Sequence, residues 1–315
     1  GTNPATGLPL PPGAPLVDLS NTPYAFSKQG KRKSGYLSLQ DTWTMANDWE
    51  LTAGLRYDNY SDFGGTTNPR LALVWQPRND FTTKLMFGKA FRAPSFVELY
   101  SINNPVREGN PNLKPEVINT WELAFDYRAT QHLHLAANLF RYDINDKIDY
   151  VPGADGKVIM SQNVGHWDGD GFELEARWKM SPKSSLLANY SYVKASDKNN
   201  GSDIGFYPQH SAYLRTDWLL IPNWYLDLQA KWIADRQRAF GDPRPAIDDY
   251  TTVDVTLRYK DIRDGRINLA FGIRNLLNVE AREPSLGPDS RGMISLPDDL
   301  PLAKRSLFVE LRYRF

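Results

Sequence analysis

Cysteine is absent from this 315-residue sequence, so a disulfide framework and a thiolate metal site are both excluded. An excess charge of one sign is also lacking, because 37 lysines and arginines balance 37 aspartates and glutamates. A chain without net positive charge offers no electrostatic support for binding nucleic acid. Runs of about 18 apolar residues are missing too, which excludes a membrane-spanning helix but leaves a membrane wall made of strands possible.

Aromatic residues, in contrast, are plentiful, since the sequence holds 9 Trp, 16 Tyr and 14 Phe. The mean hydropathy is nevertheless polar, at -0.52. Both facts suit a membrane wall of β-strands, in which apolar residues occupy every second position and barely raise the average hydropathy.

A strict alternation of apolar and polar residues recurs along the chain after the first thirty or so positions. In the stretch WELTAGLRYD the apolar face comprises Trp49, Leu51, Ala53, Leu55 and Tyr57. In the closing stretch KRSLFVELRYRF it comprises Leu307, Val309, Leu311, Tyr313 and Phe315. A period of two predicts β-strands with one apolar face. We count roughly thirteen such segments of about ten residues, the length with which a tilted strand crosses a bilayer.

Short and long links alternate between these segments. The short links are 45–48, 128–131, 181–184 and 221–223, and the long ones are 92–115, 143–162, 195–207, 235–248 and 275–303, with a modest one at 61–68. Short turns on one rim and long loops on the other are typical of outer-membrane barrels. A soluble β-sandwich is the alternative, but aromatic residues at both ends of the apolar faces favour two membrane interfaces. We therefore predict an all-β, transmembrane antiparallel β-barrel.

Several motifs in order resemble the C-terminal half of TonB-dependent outer-membrane receptors, from about Gly35 to Phe315. They are FGKAFRAPSFVELY (87–100), NPNLKPE (110–116), WELAFDY (121–127), GFELEARW (171–178), IRNLLNVEAREP (273–284) and the final aromatic strand. The resemblance implies an N-terminal plug inside a barrel of about 22 strands. Residues 1–32 are then an extracellular loop or its remnant, and residues 33–315 are the last strands of the barrel. The plug and about nine further strands are expected outside this chain.

The resemblance implies an outer-membrane receptor, and not an enzyme, that imports its ligand with energy from the TonB complex. A ferric siderophore is the expected cargo, because it is the commonest in the resembled family. Haem or cobalamin is the alternative, although the interval between Pro94 and Asn110, which separates two boxes shared with haem receptors, contains no histidine. A passive porin and an outer-membrane enzyme remain as other classes. The enzyme hypothesis depends on His166 with Asp168 or Asp170.

Candidate ligand contacts combine arginines, which bind anionic oxygen donors, with aromatics, which stack on flat ligands. They are Arg92, Tyr100, Arg107, His166, Trp167, Tyr207, Arg236, Arg238 and Arg244. No resident cofactor is expected, because iron would arrive with the ligand. Calcium at Asp242, Asp248 and Asp249 is a further option, but their spacing is not diagnostic.

Other residues are assigned to partners through the resemblance. Glu122 and Glu173 match positions whose glutamates pair with plug arginines, since an unpaired carboxylate in the lumen is costly. His132 and His134 are expected to pack against the plug, and His210 to be structural. Tyr313 and Phe315, on the lipid-facing side of the last strand, resemble the signal read by the barrel-assembly machinery.

Overall fold

A computed structural model of the chain describes most of its residues. They are residues 3, 6, 8–15, 17–20, 22, 24–103, 107–152, 158–205, 207–238, 240–262, 266–288, 293–294 and 296–313. In this part of the chain no helix has the length and apolar character needed to cross a membrane.

Seventeen strands and one short helix lie in the described residues. They are β1 (Ser34–Ala46), β2 (Trp49–Tyr60), β3 (Gly64–Arg78), β4 (Phe81–Arg92), α1 (Phe96–Tyr100), β5 (Arg107–Glu108), β6 (Glu116–Arg128), β7 (Leu133–Pro152), β8 (Ile159–Ser181), β9 (Ser184–Asp197), β10 (Ser202–Asp203), β11 (Pro208–Ile221), β12 (Trp224–Arg236), β13 (Tyr250–Ile262), β14 (Ile267–Arg274), β15 (Arg282–Glu283), β16 (Leu300–Pro301) and β17 (Ser306–Tyr313).

Thirteen of these strands form one antiparallel meander, which confirms the predicted number. Their order is β1, β2, β3, β4, β6, β7, β8, β9, β11, β12, β13, β14, β17. The short strand β10 adds to β9, β5 pairs in parallel with β8, and β15 with β16 forms a separate ribbon in the long-loop region. Within the described residues β1 pairs with β2 alone and β17 with β14 alone, so the sheet is an open barrel wall.

One face of this wall is apolar across all the long strands. In the register, Leu51 lies opposite Leu73, Leu73 opposite Leu85, and the row continues through Leu123, Leu139 and Phe172. Leu39 and Leu307, on the edge strands of this face, are both 76% exposed, and Leu85 and Leu139 within the wall are 45% and 47% exposed. A continuous exposed apolar surface of this kind is what a lipid-facing barrel wall presents. We call it the outer face, and the opposite, polar side the inner face.

Buried apolar side chains are few and lie under the long loops. One cluster comprises Leu99, Leu113 and Ile148, and a second comprises Ile233, Tyr250 and Ala281. A soluble sandwich would bury the alternating strand residues between two sheets. The described residues show the reverse, so the sandwich alternative is wrong.

The predicted long link at 143–162 is mostly strand. β7 continues to Pro152 and β8 begins at Ile159, with register shifts around Asp146, whose φ is 54°. The link at 61–68 likewise shrinks, because β3 begins at Gly64. Apolar residues alternate only where a strand contacts lipid, but the hydrogen bonds between two strands can continue beyond the lipid into water. The β7 and β8 extension therefore forms a ribbon beyond the apolar band.

Candidate ligand-binding rim

The long loops gather at one rim, and Arg92 at the end of β4 anchors the first of them. Its Nη2 atom donates to Glu98 Oε1 at 3.0 Å and to Glu116 Oε1 at 2.8 Å. Glu98 also forms a capping box with Ser95 at the start of α1. Burial acts to raise the pKa of Glu98, but hydrogen bonds from Arg92 and Ser95 outweigh it and lower the pKa. Arg92 thus joins α1 to β6.

The NPNL motif continues the same scaffold. The Asn110 side chain donates from Nδ2 to the Ser161 carbonyl at 3.1 Å. Leu113 is 2% exposed and packs against Leu99 of α1 and Ile148 of β7. The two boxes therefore meet in space and fix the helix against the β7 and β8 extension. The distance in sequence between the two boxes is explained by this packing.

Tyr100 and Arg107 lie in the same loop assembly. The Tyr100 ring stacks on Phe96 with centroids 5.9 Å apart, and its carbonyl accepts from Lys28 N at 2.9 Å. The Arg107 guanidinium lies 4.5 Å from the centroid of the Tyr150 ring. Arg107 and Tyr150 are both exposed, and together they present a cation and an aromatic face to the outside.

His166 and Trp167, neighbours in sequence, have opposite parity on β8. His166 shares the parity of outer-face Leu174, and its Nε2 lies 3.1 Å from Asp143 Oδ2. Trp167 shares the parity of inner-face Glu173, and Lys147 Nζ lies 4.0 Å from its ring centroid. The structure thus separates the two residues, and Trp167 is the one that faces the interior of the rim.

Tyr207 is held inside the loop that joins β9 to β11. Its hydroxyl oxygen accepts from Ala195 N at 2.6 Å and lies 3.1 Å from Asp203 Oδ2, to which it donates. Burial raises the pKa of Tyr207, and the neighbouring Asp203 carboxylate adds to this effect. The phenol therefore stays neutral and stabilises the loop.

Three arginines tie the loop after β12 to the loop after β14. Arg236 Nη1 donates to Glu283 Oε2 at 2.6 Å, and Arg238 makes two parallel bonds to Asp299 at 2.8 and 2.7 Å. The third arginine is Arg244, which pairs with Asp242. We call the three pairs together the loop clasp; they are Arg236 with Glu283, Arg238 with Asp299, and Arg244 with Asp242.

Arg244 completes the loop clasp. Its guanidinium donates from Nη2 to Asp242 Oδ2 at 2.6 Å and from Nη1 to Ser285 Oγ at 2.5 Å. The Asp242 side chain is 2% exposed, and the hydrogen bonds from Arg244 lower its pKa to about 2. The three arginines are thus bound to carboxylates of the chain itself, and their contact with a ligand stays a prediction.

Glu122 and Glu173 lie on the inner face of β6 and β8, the two strands that flank β7. Asn138 bridges them, since its Nδ2 donates to Glu122 Oε2 at 3.3 Å and its backbone is the register partner of Glu173. In the part of the chain that the structure describes, neither carboxylate has an ion-pair partner. Their pairing with a plug stays a prediction, and it is compatible with two carboxylates on the inner face.

His134, His210 and Asp249 have protein partners. His134 Nε2 lies 2.7 Å from Asp126 Oδ2, and His210 Nδ1 lies 2.7 Å from the Tyr190 hydroxyl. Asp249 accepts from Asp235 N at 2.8 Å. Among the described residues no group of three or more His, Asp or Glu is placed to hold a metal ion.

Arg32 was not predicted to have a role, and the structure places it within the rim. Its Nε donates to Asp62 at 2.7 Å, and its guanidinium lies 5.0 Å from the Phe96 ring centroid. Arg32 thereby attaches the segment before β1 to the loop scaffold. The basic run around it gave no signal of this role, because its partners are distant in sequence. In the last strand, Tyr313 lies on the outer face, and Phe315 lies outside the described residues.

An antiparallel wall with an apolar outer face, a charged inner face and long, clasped loops on one rim defines a membrane β-barrel with an elaborated outer surface. A family model described as TonB dependent receptor-like, beta-barrel, matches residues 3–276. The chain therefore belongs to the TonB-dependent receptor family, whose members are outer-membrane β-barrels.

Relatives of known name agree with this membership. Vitamin B12 transporter BtuB of Vibrio cholerae serotype O1 is 34% identical over 269 residues, which is 85% of this chain and 40% of the relative. Heme/hemopexin utilization protein C of Haemophilus influenzae is 25% identical over 266 residues, 72% of this chain and 37% of the relative. The chain thus spans less than half the length of these relatives.

Solved structures share the fold. A ferric enterobactin receptor (PfeA) mutant from Pseudomonas aeruginosa superposes with a TM-score of 0.74 at 20% identity, covering 90% of this chain and 45% of that one. The siderophore receptor PirA from Acinetobacter baumannii gives 0.72 at 17% identity, with 90% and 46% covered. At these identities the likeness establishes the architecture of the wall.

Proposed function

We propose that the protein containing this chain is an outer-membrane receptor for the TonB-dependent active uptake of a ferric siderophore. The observation that carries the choice of cargo is the exposed pair of Arg107 and Tyr150 on the long-loop rim. A cation beside an aromatic face suits an iron complex that is both anionic and aromatic, such as a ferric catecholate. The siderophore receptors among the similar structures support this choice.

The proposal includes parts of the receptor beyond these strands. The open edges of β1 and β17 support further strands of the same wall, and Glu122 with Glu173 supports a basic plug surface against the inner face. The TonB complex would supply energy for import, and the barrel-assembly machinery would recognise the last strand at Tyr313 and Phe315.

We also propose that the protein is not an enzyme and holds no resident cofactor. His166, on which the enzyme hypothesis depends together with Asp168 or Asp170, pairs instead with Asp143, and Asp168 is engaged by Ser196 and Lys198. Iron then belongs to the cargo and enters with the ligand.

Tryptophan fluorescence of the full-length protein in detergent tests the proposal. It is titrated with a ferric catecholate, a ferric hydroxamate, haem and cobalamin. We expect saturable quenching by a ferric siderophore with a Kd at or below about 1 µM. Removing the exposed cation in Arg107→Gln should weaken binding about tenfold, whereas Arg78→Gln, at the opposite rim, should leave it unchanged.

Each other outcome has a defined meaning. Saturable quenching by haem or cobalamin alone would replace the siderophore as cargo and leave the uptake function in place. Equal loss in Arg107→Gln and Arg78→Gln would remove the rim pair from the binding site. An absence of saturable binding for all four probes would favour a passive porin.

A further inference from the structure

A group of charged side chains lies on the outer face, immediately beyond the apolar band on the long-loop side. We call it the outer charged cluster, and its members are Arg141, Asp143, His166, Asp168, Asp170, Lys194 and Lys198. Neither the rim scaffold nor the inner face uses these residues. A group of charges on this face needs an explanation, because elsewhere it carries only isolated ones such as Asp41 on β1 and Lys89 on β4.

The register fixes the height of the cluster. Leu139 pairs with Phe172 in the last apolar row, Arg141 pairs with Asp170 in the next position of the same face, and Asp143 with Asp168 in the one after. Two residues along a strand advance about 6.7 Å. The cluster therefore begins within one such step of the lipid-facing row, at the depth of the lipid headgroups.

The contacts within the cluster hold Lys198 in place and bring Arg141 near a carboxylate. Lys198 Nζ lies 3.1 Å from Asp143 Oδ2 and 3.4 Å from Asp168 Oδ2. Arg141 approaches Asp168 at 3.9 Å, and its side chain remains 69% exposed. Lys194 is the exposed register partner of Asp170 on the neighbouring strand. Three basic groups, on β7, on β9 and in the turn that follows β9, thus lie on the outer side of the wall.

The cluster does little for the stability of the wall, because exposed ion pairs are screened by solvent and contribute little. The inner side of the same rows is already packed. The Tyr142 ring lies so close to Gly169 that a Cβ atom on residue 169 would overlap it. The outward bases are therefore better explained by something outside the barrel than by the needs of the fold.

We propose that the outer charged cluster is a binding site for the phosphorylated headgroups of outer-leaflet lipids. Arg141, Lys194 and Lys198 donate to phosphate oxygens, and the arginine fork suits two oxygens of one phosphate. Asp143 and Asp168 keep Lys198 against the sheet, at the level of the headgroups. Basic side chains at a membrane surface attract anionic lipids in this way.

Lipid binding to the full-length protein in detergent, counted by native mass spectrometry, tests the site. The probes are a diphosphorylated lipid A, the same lipid without its phosphates, and inorganic phosphate. In the triple variant Arg141→Ala, Lys194→Ala, Lys198→Ala we expect binding of the phosphorylated lipid to weaken about tenfold. Binding of the dephosphorylated lipid should not change.

The matched control removes three exposed bases from the opposite rim, in Arg78→Ala, Lys179→Ala, Lys183→Ala. Equal weakening in both triple variants would show general charge attraction and would overturn the site. Competition by inorganic phosphate at the lipid's own concentration would show a free-phosphate site and would overturn the lipid assignment. If the triple variant does not fold, Arg141→Ala and Lys194→Ala are measured singly, and an unchanged lipid affinity in both would refute the proposal.

Discussion

Asp242 shows how much the role of one residue depends on distant neighbours. In the sequence it is an aspartate two residues from an arginine in a proline-containing loop, and a candidate calcium ligand without diagnostic spacing. In the fold it is buried under Arg244, which reaches on to Ser285 in the next long loop. Arg238 likewise meets Asp299, a partner 61 positions away. Such pairings depend on which loops lie together at the rim, and a single sequence does not record this. Arg238 and Arg244 were therefore predicted only as ligand contacts, and their bonds between loops were not predicted.

The depressed pKa of Asp242 predicts how the loop clasp responds to acid. The carboxylate is stabilised in the folded loop, so its contribution is fully present above the ordinary value of 3.8 and is lost as the pH falls through about 2. Pepsin cleavage between residues 276 and 300 should therefore be slow at pH 4 and fast near pH 2. Asp242→Asn is the control, and it should be cleaved quickly at both values. Equal cleavage rates of the parent protein at the two values would contradict the role of the clasp.

The strands illustrate what alternation can and cannot predict. Every segment that was long enough to cross a bilayer formed a strand, because lipid contact imposes a period of two on one face. The upper parts of β7 and β8 escaped prediction, since no lipid acts on them and their sequence, with Asp146 at a positive φ, resembles a loop. The helix α1 was also missed, because its five residues are held by a capping box and an arginine more than by propensity.

The cap of α1 gives a prediction for this element. Replacing Ser95 with Ala removes the side chain that accepts from Glu98 N at 3.3 Å. Loss of such a cap costs about 1 kcal/mol of helix stability. Hydrogen exchange over residues 96–101 should accelerate about fivefold, whereas Ser38→Ala, on an exposed part of β1, should leave exchange in α1 unchanged. Unchanged exchange in Ser95→Ala would mean that Arg92 alone holds the helix.

The two faces of β7 predict opposite tolerance to charge. Ala137→Arg places a cation near the middle of the apolar outer face, between Phe125 and Leu174 in the register, and should lower the free energy of unfolding by about 2–4 kcal/mol in a bilayer. Asn138→Arg, one position away, points to the inner face beside Glu122 and should be tolerated. Urea titration followed by heat-modifiable gel mobility measures both. Similar losses in the two variants would contradict the assignment of the faces.

The whole molecule is organised by the division between lipid, lumen and outer rim. The class of fold and the lipid-facing surface were predictable, because the membrane acts on every strand alike. The geometry of the rim was not, because it arises from contacts between loops that no local pattern records. Arg32 and the loop clasp are both products of that assembly.

Glu122 and Glu173 give a prediction for the assembled receptor. If a plug neutralises them, the double variant Glu122→Gln, Glu173→Gln in the full-length protein should loosen it, with about tenfold faster hydrogen exchange in the plug and unchanged exchange in the strands. Glu175→Gln serves as the control, because Glu175 already pairs with Arg177 on its own strand at 2.8 Å. Unchanged plug exchange in the double variant would argue for a water-filled lumen around the two carboxylates.

The ribbon formed by β7 and β8 also determines what the cell shows to its surroundings. From Ile144 to Pro152 the paired strands advance about 26 Å past the height of the charged rows. Because it extends beyond the apolar band into water, the ribbon is accessible to large molecules on the long-loop side of the membrane. Its described upper end, at Pro152 and Ile159, is therefore a surface that an antibody would reach without contacting the wall.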